Sequence, residues 1–299
     1  MSKFKIILFY KYVTIENPEK LRDEQREVCL KLSLKGRMII AKEGINATLE
    51  GKVEDINRYL DIFLKDKRFA DTHIKLSEGT GEAFPKLSIK VRNEIVASGV
   101  DGLDPNKTTG KYLTAEQLHS WIKGKKEFFI VDMRNDYEQR VGYFENSILS
   151  GIENFRDISK LLPKIKHLKG KTIVTVCTGG VRCEKASGFL VKEGFSDVYQ
   201  LFGGIVTYME KYPNEDFKGS LYVFDNRLVM GFNMDDQRRE IIGRCASCDK
   251  PSENYINCSD DFCHRHFICC LDCTDENNKA LCPMGCRDFS DEHRDVATM

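Results

Sequence analysis

The run Thr172-Ile173-Val174-Thr175-Val176 has no charged face and leads straight into Cys177-Thr178-Gly179-Gly180-Val181-Arg182-Cys183-Glu184-Lys185-Ala186. A strand of that kind has to be covered on both sides, which a parallel sheet between helical layers achieves. Phe128 to Asp132 and Val198 to Leu201 read as further buried strands, with helical stretches between them. The middle of the chain is therefore expected to be an α/β parallel-sheet domain. Thr114, with Gln117 three residues on, opens its first helix through a capping box.

The loop that leaves this strand carries chemistry. Ligands of open α/β sheets bind beyond the strand C-termini. Gly179 and Gly180 let the backbone curl, so that the amides of Thr178, Gly179, Gly180, Val181 and Cys183 point inward with the helix N-terminus. A cysteine at the mouth of such an anion site ionises readily, and Arg182 adds a full positive charge. Cys177 is then a nucleophile, able to carry a second sulfur or to attack an electrophile. The plain alternative is a buried core cysteine, which the Gly-Gly-x-Arg continuation argues against. Cys183 either resolves a persulfide or, as the better reading, fills the first helical turn where a small side chain is needed.

Residues 1–98 alternate strand and helix in the order strand-helix-strand-strand-helix-strand, with room for an extra strand, which is the ferredoxin-like α+β arrangement. Gly44-Ile45-Asn46 reads as a turn between two strands. Formal net charge is zero, so nucleic acid can be held only by a local patch. Lys11, Lys42, Lys90 and Arg92 concentrate positive charge in this region, with Tyr10 and Tyr12 beside them and Asn46 able to meet a base edge. A basic, aromatic sheet face of that sort can bind RNA by phosphate contact and stacking.

Twelve cysteines are present, and nine fall between Cys245 and Cys286. The pairs Cys245-x2-Cys248, Cys258-x4-Cys263, Cys270-x2-Cys273 and Cys282-x3-Cys286 supply ligands for two tetrahedral zinc ions, joined either as consecutive pairs or as a cross-brace. His264 or His266 could replace one thiolate, and Cys269 is spare. Disulfides are disfavoured, because no apolar run of about 18 residues and no signal peptide is seen, which points to the reducing cytoplasm. The tail from Asp288 to Met299 is charged and expected to be disordered.

Two resemblances follow from these motifs. The Cys177 loop, the upstream Asp132-Met133-Arg134 to Glu138 segment and Gly203-Gly204 resemble a rhodanese-like domain over about residues 112–213, with Tyr143 where a histidine is usual. Asp132, Arg134 and Glu138 are then expected to be structural. More widely, Phe9-Tyr10-Lys11-Tyr12, Glu43 to Ala47, Lys90-Val91-Arg92, the Cys177 loop and the C-terminal cysteines are similar to the bacterial tRNA uridine hydroxylase family. That resemblance implies an oxidoreductase that uses molecular oxygen to make 5-hydroxyuridine at the wobble position of tRNA. Cys177 would be its nucleophile or persulfide carrier, Arg182 would assist, and the anticodon arm would be gripped by the first domain and the tail. The expected organisation is a ferredoxin-like domain (1–98), a linker (99–111), a rhodanese-like domain (112–217), a cysteine-rich zinc-binding region (218–287) and a tail (288–299). No organic cofactor motif is visible. A rhodanese-type sulfurtransferase and a non-enzymatic zinc-containing RNA-binding module are the competing readings.

Overall fold

A computed structural model describes residues 2–124 and 126–283. The first domain contains β1 (Phe4–Tyr12), α1 (Pro18–Lys31), β2 (Lys35–Ala41), β3 (Gly44–Lys52), α2 (Val53–Phe63), β4 (Lys75–Gly79) and β5 (Leu87–Val91). Its sheet runs β4-β1-β3-β2-β5, the ferredoxin-like order with β5 added parallel to β2. Period-two alternation decides which face is covered. Ile7 and Phe9 of β1 pack with Leu21, Ile56, Tyr59 and Phe63 of the two helices. Ile6, Leu8 and Tyr10 lie on the other face, which covers the second domain. Asn17 caps α1 by accepting from the Lys20 amide at 2.9 Å, and Pro18 starts the helix.

One expectation is corrected here. Gly44, Ile45 and Asn46 belong to β3, and the turn is Lys42-Glu43. Gly44 has φ +150°, and a Cβ there would lie 2.0 Å from the Lys11 carbonyl oxygen. The glycine thus serves the close approach of β1, not a turn. The last strand of this sheet ends at Val91. Beyond it Ile95 is tied down, its amide donating to Glu43 at 2.7 Å and its carbonyl accepting from Asn46 at 3.2 Å.

The second domain comprises β6 (Lys111–Leu113), α3 (Ala115–Lys123), β7 (Phe129–Asp132), α4 (Asp136–Gln139), β8 (Gly142–Phe144), β9 (Ile148–Leu149), α5 (Leu162–Ile165), β10 (Thr172–Val176), α6 (Val181–Lys192), β11 (Asp197–Leu201) and α7 (Gly204–Lys211). The sheet β6-β11-β10-β7-β9 is parallel throughout. Both faces of β10 are buried, as its composition demands. Ile173 packs with Ala186 and Leu190 on one side, and Val174 and Val176 pack with Leu118 and Ile205 on the other. The Thr114–Gln117 capping box is present.

The remainder is built from short two-stranded pairings. β12 (Phe217–Gly219) pairs with β8, β13 (Leu221–Tyr222) with β14 (Val229–Met230), and β15 (Tyr255–Asn257) with β16 (His266–Ile268). The charged tail and Cys286 lie outside the described residues.

Candidate active site

Cys177 directly follows β10 and is fully buried. Gly180, at φ +100°, turns the chain so that its own amide donates to the Cys177 sulfur at 3.2 Å. The amide cradle expected from the glycines therefore closes on the sulfur itself. Burial works against ionisation here. The Cys183 thiol, the Arg182 charge and the amides of Cys183 and Gly180 outweigh it and bring the Cys177 thiol down to about 6. Cys183 moves the other way, raised by burial and by its sulfur neighbour. Gly203 and Gly204, at φ +77° and +72°, cross directly behind the loop. A Cβ on Gly204 would lie 2.6 Å from the Gly180 nitrogen and the Thr178 oxygen, which is why two glycines stand there.

Arg182 does not face an open anion site. Its guanidinium is committed to Glu138 of α4 at 2.5 and 2.8 Å and to the Thr178 hydroxyl at 3.1 Å. Thr178 in turn donates to Glu138 at 3.0 Å. Behind this pair, Arg134 chelates Asp132 and donates to the Gly142 carbonyl at 2.6 Å. Arg182 thus lends its field to the sulfur while it fixes the loop.

The first domain lies over this loop. A Cβ on Gly179 would come within 3.0 Å of Leu8, and one on Gly180 within 2.9 Å of the Tyr10 hydroxyl. Tyr10 donates to Glu184 at 3.0 Å and Tyr12 to the Val181 carbonyl at 3.2 Å. Lys185, wholly buried, binds Glu43 and Glu94, each at 2.9 Å. The tyrosines expected to stack on RNA are therefore half-buried clamps between domains. Beside the clamp is a mostly apolar cavity of about 410 Å³. Its walls are the outer face of the first sheet (Leu8, Arg37, Ile39, Asn46, Lys75), the loop (Thr178, Gly179, Arg182) and the segment carrying Phe224 and Met230.

Of the residues expected to meet RNA, Asn46 lies in the cavity wall. Lys42, Lys90 and Arg92 are exposed, and Lys11 is paired with Asp71 at 2.8 Å. Register places Lys11, Lys42 and Arg92 at one end of the sheet, because the Arg92 amide bonds to Ile40, which pairs with Ile45 opposite Lys11. Lys75 was not singled out by sequence reasoning. It is buried, its Nζ has no hydrogen-bond partner among the described residues, and it lies 5.2 Å from the Tyr10 ring centre. No sequence signal marks it, because only the structure shows that within β4 Leu76 is exposed and Lys75 is inside.

The cysteine pairs adopt the cross-brace. Cys245, Cys248, Cys270 and Cys273 bring their sulfurs within 4.8 Å of one another, and Cys258, Cys263 and Cys282 do the same. Sulfur–sulfur contacts of 3.5 Å for Cys248–Cys270 and 3.7 Å for Cys263–Cys282 suit a tetrahedral thiolate site. Both clusters can hold a metal. His266 is instead engaged by Tyr222 at 3.1 Å and Asn257 at 2.9 Å, stacked on Tyr255.

A parallel sheet, a glycine loop at its C-terminal edge and an ionised cysteine in that loop define a rhodanese-like thiol domain. Family models agree: a rhodanese-like domain matches residues 114–211, a UPF0176 acylphosphatase-like domain residues 4–95, and a rhodanese C-terminal region residues 218–287. The chain is 40% identical to a tRNA uridine(34) hydroxylase of Cytophaga hutchinsonii over 96% of its length and 91% of that protein. A protein of the same name from Staphylococcus haemolyticus is 42% identical over 89% of this chain and 83% of that one. A solved rhodanese-related protein from Thermoplasma volcanium matches 34% of this chain and 92% of its own, at 29% identity and a TM-score of 0.28. The chain belongs to the tRNA uridine(34) hydroxylase family.

Proposed function

We infer that this chain is a tRNA-modifying oxidoreductase that hydroxylates uridine 34, the wobble position, with 5-hydroxyuridine as product and molecular oxygen as co-substrate. The observation that carries the reading is the cavity of about 410 Å³ between the Cys177 loop and the first sheet, in a chain of this family. Its volume suits one flipped nucleoside. Cys177 is the nucleophile. Its thiolate either adds to C6 of the uracil or carries a second sulfur. Arg182 and the amides from Thr178 to Cys183 hold it ionised, and Arg182 acts as a positioning residue. Asn46 reads the base, while Lys11, Lys42, Lys90 and Arg92 meet the backbone of the anticodon arm. The two cysteine clusters hold zinc, the second completed by Cys286, and fold the C-terminal region around it. The described residues include no helix long and apolar enough to cross a membrane, which fits an enzyme working on tRNA in the cytoplasm.

Mass spectrometry of tRNA nucleosides from a deletion strain tests this. 5-Hydroxyuridine is expected to disappear, to return with the wild-type gene and to stay absent with Cys177→Ser. Loss of a thiolated base in its place would establish sulfur transfer, which the loop chemistry also supports. Unchanged nucleosides would leave a binding module.

A further inference from the structure

We propose that Lys75 is a further catalytic residue, whose ammonium donates to a carbonyl oxygen of the uracil in the cavity and stabilises the charge that forms there when Cys177 adds to C6. The inference rests on the reading of Cys177 given above. Its first support is an exception. The other deeply buried cations around the loop each have carboxylate partners: Arg134 with Asp132, Arg182 with Glu138, and Lys185 with Glu43 and Glu94. Lys75 is 4% exposed, and its Nζ has no hydrogen-bond partner among the described residues. An unpaired buried ammonium is costly, and a strand that turns Lys75 inward and Leu76 outward pays that cost for a reason other than packing.

Location supplies the reason. Lys75 lines the large cavity together with Thr178 and Gly179, and it also lines a smaller cavity of about 190 Å³ beside Tyr10 and Glu184. It therefore stands next to the loop that holds the sulfur. A phosphate is the other ligand an ammonium can take. The exposed Arg37 on the same wall is better placed for one, because a phosphate need not leave water to reach it. Lys75, deep among Ile6 and Leu8, suits a neutral carbonyl that becomes charged only during reaction. As the bond from sulfur to C6 forms, the C5–C6 π bond breaks and its electron pair moves through C5 to O4. The enolate oxygen is then held by the ammonium. The groups facing Lys75 are Tyr10 of β1, Cys177 of the loop, Glu184 of α6, Glu210 of α7 and His73 just before its own strand. Burial dominates over these neighbours and lowers the Lys75 pKa to about 8.

The test is anaerobic exchange at C5. Full-length protein and tRNA carrying uridine 34 are incubated in D2O, and deuterium at C5 of that uridine is read by mass spectrometry. Reversible addition lets C5 take a solvent deuteron and lose its proton before the sulfur leaves. Wild type is expected to exchange at a rate that rises as Cys177 ionises and falls as Lys75 loses its proton. Lys75→Met should be slower by about 100-fold, the scale of one lost oxyanion donor. It should also lose the alkaline fall, keep its affinity for tRNA and melt no lower than wild type, because a buried charge is replaced by an apolar chain of similar size. Lys75→Arg should retain part of the rate. Exchange by Lys75→Met at the wild-type rate, a defect confined to tRNA affinity, or a lower melting temperature would each overturn the role of Lys75 alone. A wild-type enzyme that does not exchange would instead remove the addition by Cys177 on which the inference rests.

Discussion

Cys177 ionises in a place where burial alone would forbid it. The compensation comes from groups that exist together only in the folded chain: the Cys183 thiol, the Arg182 charge, and the Cys183 and Gly180 amides. Linkage turns this into a stability statement. The folded thiol titrates near 6, below the ordinary 9.0, so its stabilising contribution is complete above pH 9 and is lost as pH falls toward 6. Urea midpoints measured across that window should fall with pH in the wild type and fall less in Cys177→Ser. Equal slopes would mean that the thiol is not ionised in the folded protein. The loop was legible in the sequence because its chemistry is local. Cysteine, two glycines and arginine stand together in one loop, although the Glu138 that holds Arg182 comes from elsewhere in the chain. Lys75 was not legible, because its meaning depends on a loop about a hundred residues away in the chain and on its Nζ having no hydrogen-bond partner among the described residues.

β1 illustrates what a single element's pattern reveals and withholds. Its alternation showed two faces, and Ile7 and Phe9 are where a helix-covered face should place them. Nothing in the alternation said that the other face would be covered by another domain, so Tyr10 and Tyr12 were read as platforms for RNA. They are clamps, bonded to Glu184 and the Val181 carbonyl. Gly44 misled for a related reason. Glycine marks both turns and close approaches, and only the position of the Lys11 carbonyl decides between them. The clamp has a functional consequence. Cys177 is buried and Leu8 and Tyr10 of β1 lie against its loop, so access to its sulfur is expected to follow opening of the seam between β1 and the loop, a gating motion of the kind that sets many enzyme rates. Tyr10→Phe removes one hydrogen bond at the seam, worth about 1 kcal/mol, and should raise the open population roughly fivefold. Alkylation of Cys177 by iodoacetamide should accelerate to the same extent. An unchanged rate would show that the reagent reaches the sulfur without opening this seam.

At the scale of the whole molecule, the cysteine-rich region and the thiol are mechanically joined. The cross-brace interleaves Cys245 and Cys248 with Cys270 and Cys273 around the second cluster, so neither site can form without the chain path of the other. Spacing alone was compatible with consecutive pairing, because the choice depends on how β15 and β16 fold back on each other. That hairpin carries Tyr255 and His266, which stack, and Tyr255 donates to the Tyr137 carbonyl on α4. The next residue of α4 is Glu138, the partner of Arg182. A contact path therefore runs from the cysteine clusters through Tyr255 and α4 to the loop of Cys177. Stripping metal with a strong chelator should unfold residues 244–283, which have little apolar core of their own, and withdraw the support of α4. Hydrogen exchange followed by mass spectrometry should then show faster exchange in residues 136–144 and in the loop at 177–183. The first sheet, whose core is formed by α1 and α2, should keep its protection. Chelation that unfolds the cysteine region while α4 and the loop stay protected would show that the two ends of this path are independent. In that case the clusters serve the C-terminal region alone, and the Cys177 loop owes them nothing.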